Sequence, residues 1–272
     1  MLAESMVLRE QTGGGRVLDK QAVAASFSRA AESYDRVAGI QRWMIARLLE
    51  ELDGVGEIRR VLDIGCGTGH LMTQVGQRLR PDSVLGLDIA EGMTRVARDR
   101  TGHGAICADA EAMPLSDAAF DLLVSSFALQ WCPDLPQVFA ESHRVLQPGG
   151  RFYFTLPVVG TLAELKDCWQ QADSENSHVN DFYGRDDLLL AARSAGYSSV
   201  QVRVLERCEY FPDVKAITDA LKAMGAHNVT AGRARQLTGK QKLRAMLDHY
   251  ERYRAPEGLP LTWQVAFGVL RK

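Results

Sequence analysis

Apolar positions along the chain switch between two repeats, and the switch points outline the fold. Between residues 59 and 156, short apolar runs alternate with stretches in which apolar side chains recur every three or four residues. The runs Arg59–Ile64, Ser83–Asp88, Ala105–Ala108, Phe120–Ser125 and Gly150–Leu156 predict buried strands. Leu71–Leu79, Gly92–Arg100 and Leu135–Val145 predict the helices between them, and Gln147-Pro148-Gly149-Gly150 predicts a turn. Strands alternating with helices at this spacing imply βαβ units and a parallel sheet.

The flanks differ. Ahead of this core, helical spacing starts near Lys20, runs through Val23, Phe27 and Ala30, and resumes over Gln41–Leu52. Beyond it, Leu162–Asp173, Asp186–Ala195, Val214–Met224 and Lys240–Tyr253 predict helices, while Ser199–Glu206 and Leu261–Leu270 alternate as strands do. We therefore expect an α/β fold with a doubly wound, seven-stranded, mostly parallel sheet. A flexible tail is expected over 1–18, with Gly13-Gly14-Gly15 as its joint, ahead of a single domain over 19–272. The segments 19–55, 160–198 and 208–258 are expected to form a helical cover over the site.

Composition narrows the class. The 272 residues carry a net charge of −2, 46 % hydrophobic and 24 % charged residues, as in an ordinary soluble globular protein. A near-neutral chain has no global attraction for nucleic acid or anionic lipid, so neither is expected as a partner. The five cysteines form no CxxC pair, which fits a reducing compartment. No apolar run approaches the ~18 residues of a membrane span, and the start of the chain has no apolar signal region. A cytoplasmic location is the expectation. The six histidines are scattered, without paired ligand spacing, so no metal is expected.

The chemistry is concentrated in Val61-Leu62-Asp63-Ile64-Gly65-Cys66-Gly67-Thr68-Gly69, a strand that enters a turn with three glycines in five residues. Glycine lets backbone approach a ligand that a Cβ would exclude. The spacing Gly-x-Gly-x-Gly, with His70 where a dinucleotide site has its third glycine, suits a nucleoside without a pyrophosphate and disfavours a nicotinamide dehydrogenase. Cys66 reads as a small turn residue, with no base beside it. Asp88 closes the second strand, where an acid accepts hydrogen bonds from ribose hydroxyls; a helix N-cap without a ligand is the other reading. Asp109 closes the third strand, and Phe120–Trp131 runs from the fourth strand into the crevice where such sheets bind ligands.

This pattern over residues 55–156 resembles the class I S-adenosylmethionine-dependent methyltransferases, Rossmann-like proteins. The resemblance implies S-adenosyl-L-methionine as cofactor, with Asp63, Gly65, Gly67, Gly69, Asp88, Ile89, Met93, Asp109, Ala110, Ser126 and Tyr34 around it. Asp109 would then bond the adenine amino group. Asp63 would either orient the turn amides or meet the ammonium of the methionyl tail through water.

The flanks carry a finer resemblance. Phe27-Ser28-Arg29-Ala30-Ala31-Glu32-Ser33-Tyr34-Asp35, Ala128-Leu129-Gln130-Trp131, Leu221–Ala226, Gly232-Arg233 and Leu259-Pro260-Leu261-Thr262-Trp263 together resemble the malonyl-acyl-carrier-protein O-methyltransferases of biotin synthesis. The acceptor implied is the free carboxylate of a malonyl thioester, on acyl carrier protein or coenzyme A, and methylation would let it prime a biotin precursor. A carboxyl group with a pKa of roughly 4 is ionised at neutral pH, so no catalytic base is needed. Arg29 is the expected carboxylate partner, with Gln130 and Trp131 lining the pocket. From Lys222 to Arg254, eight basic residues face only Asp248 and Glu251, a local charge of +6. Arg233, Arg235, Lys240, Lys242 and Arg244 are thus expected to dock an acidic carrier. Two alternatives remain at this point: another small-molecule methyltransferase, or a non-catalytic S-adenosylmethionine-binding protein.

Overall fold

Neighbouring side chains of the central strands feed different cores. In β1 (Arg60–Ile64), Val61 packs with Leu48, Met72 and Ala97, whereas Leu62 and Ile64 pack with Val138, Phe139 and Ala192. The same split separates Leu122 and Val124 from Leu123 in β4 (Phe120–Ser126). Strands apolar on both faces need helices on both faces. One layer is supplied by α2 (Gly39–Glu50), α3 (His70–Leu79) and α4 (Glu91–Thr101); the other by α5 (Leu135–Val145) and α7 (Arg185–Ser194).

The computed structural model describes residues 19–31, 39–176, 178–224 and 239–272. The tail expected over 1–18 lies outside them. The sheet has seven strands, as expected, in the order β3-β2-β1-β4-β5-β7-β6. β2 (Ser83–Asp88), β3 (Gly104–Cys107) and β5 (Leu146–Pro157) join β1 and β4 in parallel. β7 (Leu259–Arg271) inserts antiparallel between β5 and β6 (Ser199–Phe211). The strand order reverses between β1 and β4, and the candidate turn follows β1. Ligands of doubly wound sheets bind at that reversal.

Two boundaries differ from expectation. The Gln147–Gly150 turn lies within β5: Phe120 pairs with Leu146 and Leu122 with Arg151, so four residues bulge opposite one. Pro148 has no N–H to give the ladder, and Gly149 takes φ +79°, which sustains the bulge. β6 runs on to Phe211 instead of ending at Glu206, because Leu259–Arg271 pairs with its whole length. Glu206, Arg207 and Glu209 interrupt its apolar alternation, as an edge strand permits. Residues 208–211 therefore belong to the sheet and not to a cover segment.

Three further helices pack at the carboxyl end of the sheet. Around Trp263 they are α6 (Ala163–Ala172), α8 (Val214–Ala223) and α9 (Lys240–Tyr250), in a cluster that includes Leu165, Ile217, Met246 and Tyr250. α1 (Lys20–Ala30) begins at Asp19, whose side chain accepts from Ala22 N, and lies against the start of α4.

Candidate active site

The turn after β1 is held by the neighbouring strand. Gly65 N and Cys66 N both donate to Leu87 O, at 2.7 and 3.0 Å. Gly65, Gly67 and Gly69 take φ values of +74°, +52° and +83°, which side chains resist. Their uses differ. A Cβ on Gly65 would lie 2.1 Å from Ala128 Cβ, and one on Gly69 would lie 2.7 Å from Thr101 Cγ2. A Cβ on Gly67 would meet no protein atom within 4 Å. Gly67 thus exposes backbone to the cavity, while the other two allow protein to pack on protein. Gly69 does not line the cavity. Burial, then Asp63 and Asp88, push the Cys66 thiol well up, so it is no thiolate nucleophile.

Beyond the turn lies a cavity of about 610 Å³, within the range that holds a small-molecule ligand. Asp63, Gly65, Gly67, Asp88, Ile89, Met93, Asp109, Ala110, Ser126 and Trp131 all line it. Asp63 is 1 % exposed, and neither carboxylate oxygen accepts a hydrogen bond from the described residues. Burial, and secondarily Asp88, push its carboxyl up to about 8. A buried, unpartnered acid is costly without a complementary group, and a cationic ligand supplies one. Asp88 is braced: Oδ2 accepts from Gly67 N at 2.9 Å and Oδ1 from Ala90 N at 2.8 Å. Burial raises its carboxyl against those two bonds. Each oxygen keeps a further lone pair for a ligand hydroxyl.

α1 roofs this cavity through Lys20, Val23 and Phe27, at i, i+3 and i+7 on one helix face. Lys20 Nζ reaches Asp109 Oδ2 at 2.6 Å and Glu111 Oε2 at 2.5 Å. Phe27 meets Trp131 edge to face, with ring centroids 5.5 Å apart. Ser28 Oγ accepts from Gly92 N at 3.2 Å. These contacts were missed from sequence, although the Lys20-Val23-Phe27 spacing was a usable signal. Arg144 was also missed. It donates to Met113 O and Leu115 O, while Glu141 accepts from Met113 N, so α5 anchors the loop after Asp109.

Several expected roles are not supported. Arg29 is exposed and is not among the cavity's lining residues, since it lies off the Lys20-Val23-Phe27 face. Gln130, by contrast, does line a pocket: it is 3 % exposed, donates to Phe127 O at 2.9 Å and borders a second, smaller cavity beside the first. Lys242 is paired at 2.8 Å with Asp173, a buried acid that ends α6, so it joins two helices and is not free for docking. Lys240 and Arg244 are exposed on α9. Tyr34, Arg233 and Arg235 lie outside the described residues.

Residues 62–154 match the family model described as a methyltransferase domain. The solved structure of a putative methyltransferase from Bacillus halodurans superposes with a TM-score of 0.60 at 18 % identity, over 84 % of this chain and 98 % of that one, a likeness of fold. The chain is 44 % identical to the "Biotin biosynthesis bifunctional protein BioHC" of Cellvibrio japonicus over 94 % of its own length and 51 % of that protein. It therefore spans about half of that bifunctional relative. It is also 40 % identical to the "Malonyl-[acyl-carrier protein] O-methyltransferase" of Serratia marcescens, over 95 % of this chain and 98 % of that one. This chain belongs to the malonyl-[acyl-carrier protein] O-methyltransferase family. It has the class I methyltransferase fold. The match to the Serratia family member spans the flanking helices as well as the sheet.

Proposed function

We propose that this enzyme transfers a methyl group from S-adenosyl-L-methionine to the free carboxylate of a malonyl thioester. The observation that carries the cofactor is Asp63: a buried carboxylate without a hydrogen bond, beside the braced Asp88 and the open backbone of Gly67. S-adenosylmethionine has an ammonium for the first, ribose hydroxyls for the second and adenosine to fill the cavity. Ile89, Met93, Asp109, Ala110 and Ser126 complete its walls. The malonyl acceptor is supported by the names of full-length relatives, in Serratia and Geobacter among others.

When bound, the cofactor supplies a sulfonium-activated methyl group. The chain then has little chemistry to add. The acceptor carboxylate is already ionised at pH 7, so no side chain need remove a proton. An oxygen lone pair forms the new C–O bond as the C–S pair returns to sulfur, leaving a neutral ester and a neutral thioether. The protein aligns the partners and excludes water. α1 serves the second task, clamped by Lys20 at one end and Phe27 at the other. Tyr34 remains a proposed cofactor contact.

The ester hides a charge, so chain-elongating enzymes can accept the product as an apolar primer for a biotin precursor. The carrier is proposed to be acyl carrier protein, with Lys240 and Arg244 as exposed docking cations and Arg233 and Arg235 as further candidates. Residues 19–55, 160–184 and 212–258 form the proposed cover; α7, expected within it, packs on a face of the sheet instead. The cytoplasm is the proposed location; no helix among the described residues is long and apolar enough to cross a membrane. Mixing protein, labelled S-adenosylmethionine and malonyl-carrier protein should give a methyl ester by mass. No ester from the carrier or coenzyme A thioester would overturn the proposal.

A further inference from the structure

A smaller cavity of about 50 Å³ lies beside the first, and Phe127 and Trp131 border both. Its volume takes roughly three or four water molecules, the size of a carboxylate with its methylene, so a longer diacid would have to extend out of it. His178 forms another wall and is held unusually firmly. Its Nε2 bonds Asp173 Oδ2 at 2.9 Å, and its ring stacks on Trp169 at 3.8 Å and 13°. Asp173 is in turn fixed by Lys242 and Asn176. Nothing in the cofactor cavity requires this arrangement. Asn180 and Phe182 line both the small cavity and an open groove of about 380 Å³, so the cavity has a neighbouring route to solvent.

One polar group at the seam is unused. The Trp131 indole Nε1–H is buried and makes no hydrogen bond among the described residues. Buried indole N–H groups ordinarily have an acceptor. An anionic acyl head beside Trp131 provides one.

We propose that the small cavity receives the acyl head of the acceptor thioester, with Trp131 Nε1–H donating to its carboxylate and the thioester arm leaving through the groove past Asn180. This rests on the malonyl reading above and says where the acceptor sits and what limits its length. A neutral donor suits the reaction. Positive sulfonium and negative carboxylate both lose their charge in the transition state, so a tight ion pair to the carboxylate would stabilise the ground state more than the transition state. An indole N–H orients the oxygen and leaves it nucleophilic.

The test uses the full chain loaded with S-adenosylhomocysteine, which permits binding without turnover. Trp131→Phe keeps an aromatic ring against Phe27 and removes the N–H. It should weaken malonyl-carrier-protein binding about tenfold, the factor for one hydrogen bond, and by clearly more than it weakens S-adenosylhomocysteine binding. Asn180→Trp, at the partly exposed mouth, should block malonyl binding without touching the core. The wild type should methylate malonyl but not glutaryl thioesters. Equal thioester binding by the wild type and both variants, or equal use of glutaryl thioester, overturns the assignment. Failure of the malonyl reading itself is seen earlier, as a wild type that makes no ester.

Discussion

Asp88 Oδ2 accepts a hydrogen bond from Gly67 N at 2.9 Å, so the acid proposed to hold the ribose also shapes the turn proposed to cradle it. Its other oxygen holds Ala90 N at the start of α4. One carboxylate therefore ties together the ends of two strands beside the cavity.

Asp88→Ala should consequently do more than delete a ligand contact. It leaves two backbone N–H groups without their acceptor, at about 1–3 kcal/mol each when buried. We expect a lower unfolding temperature together with a cofactor Kd raised by about a hundredfold or more. Asp88→Asn, which keeps one acceptor oxygen, should recover part of the stability and less of the affinity. Calorimetric titration and thermal unfolding of both variants check this.

Asp63 gives a pH signature. Its carboxyl sits at about 8 in the fold and near ~4 in an unfolded chain. A group raised on folding contributes stability that is complete below about pH 4 and is lost as pH rises through about 8. Asp63→Asn should therefore be more stable than the wild type at pH 8 without ligand, by on the order of a few kcal/mol, with the gap closing toward pH 4. Binding a cationic cofactor at pH 7 should release close to one proton, since the ammonium favours the carboxylate. Calorimetry in buffers of different ionisation enthalpy reads that proton, and Asp63→Asn should abolish it.

Lys20 ties the roof to the rim through Asp109 and Glu111. The three side chains are 29 %, 35 % and 13 % exposed, so solvent screening keeps each pair to about 1 kcal/mol or less. Lys20→Met should leave global stability nearly unchanged and speed cofactor release several-fold. Amide exchange over α1 should rise in parallel. Unchanged release would mean that Phe27 and Ser28 suffice to hold the helix.

Arg29→Ala should leave the malonyl KM within about twofold, because Arg29 is exposed and borders neither cavity. This reverses the expectation from sequence, and steady-state kinetics decides it. Among the basic residues of α9, Lys240→Glu with Arg244→Glu should raise the KM for the carrier substrate at low salt, with the difference shrinking as salt rises. Lys242→Ala should instead loosen α9 from Asp173, lowering the unfolding temperature.

The sequence by itself determined the layers, the strand–helix alternation, the turn of glycines and the acids at the strand ends, because these follow local periodicity and backbone conformation. The three glycines and Asp88 could be singled out from spacing, and Asp63 through the family resemblance; only the fold set Gly67 apart from its neighbours. Tertiary structure decided which polar residue faces a cavity. Arg29 and Lys20 share one helix nine residues apart, yet only Lys20 is on the inward face, and Lys242 is used by an acid 69 residues away. It also made Gly65 and Gly69 packing positions, through Ala128 and Thr101, and brought His178 to the cavity shared with Trp131. Those choices depend on contacts between segments far apart in the chain, which no local pattern encodes.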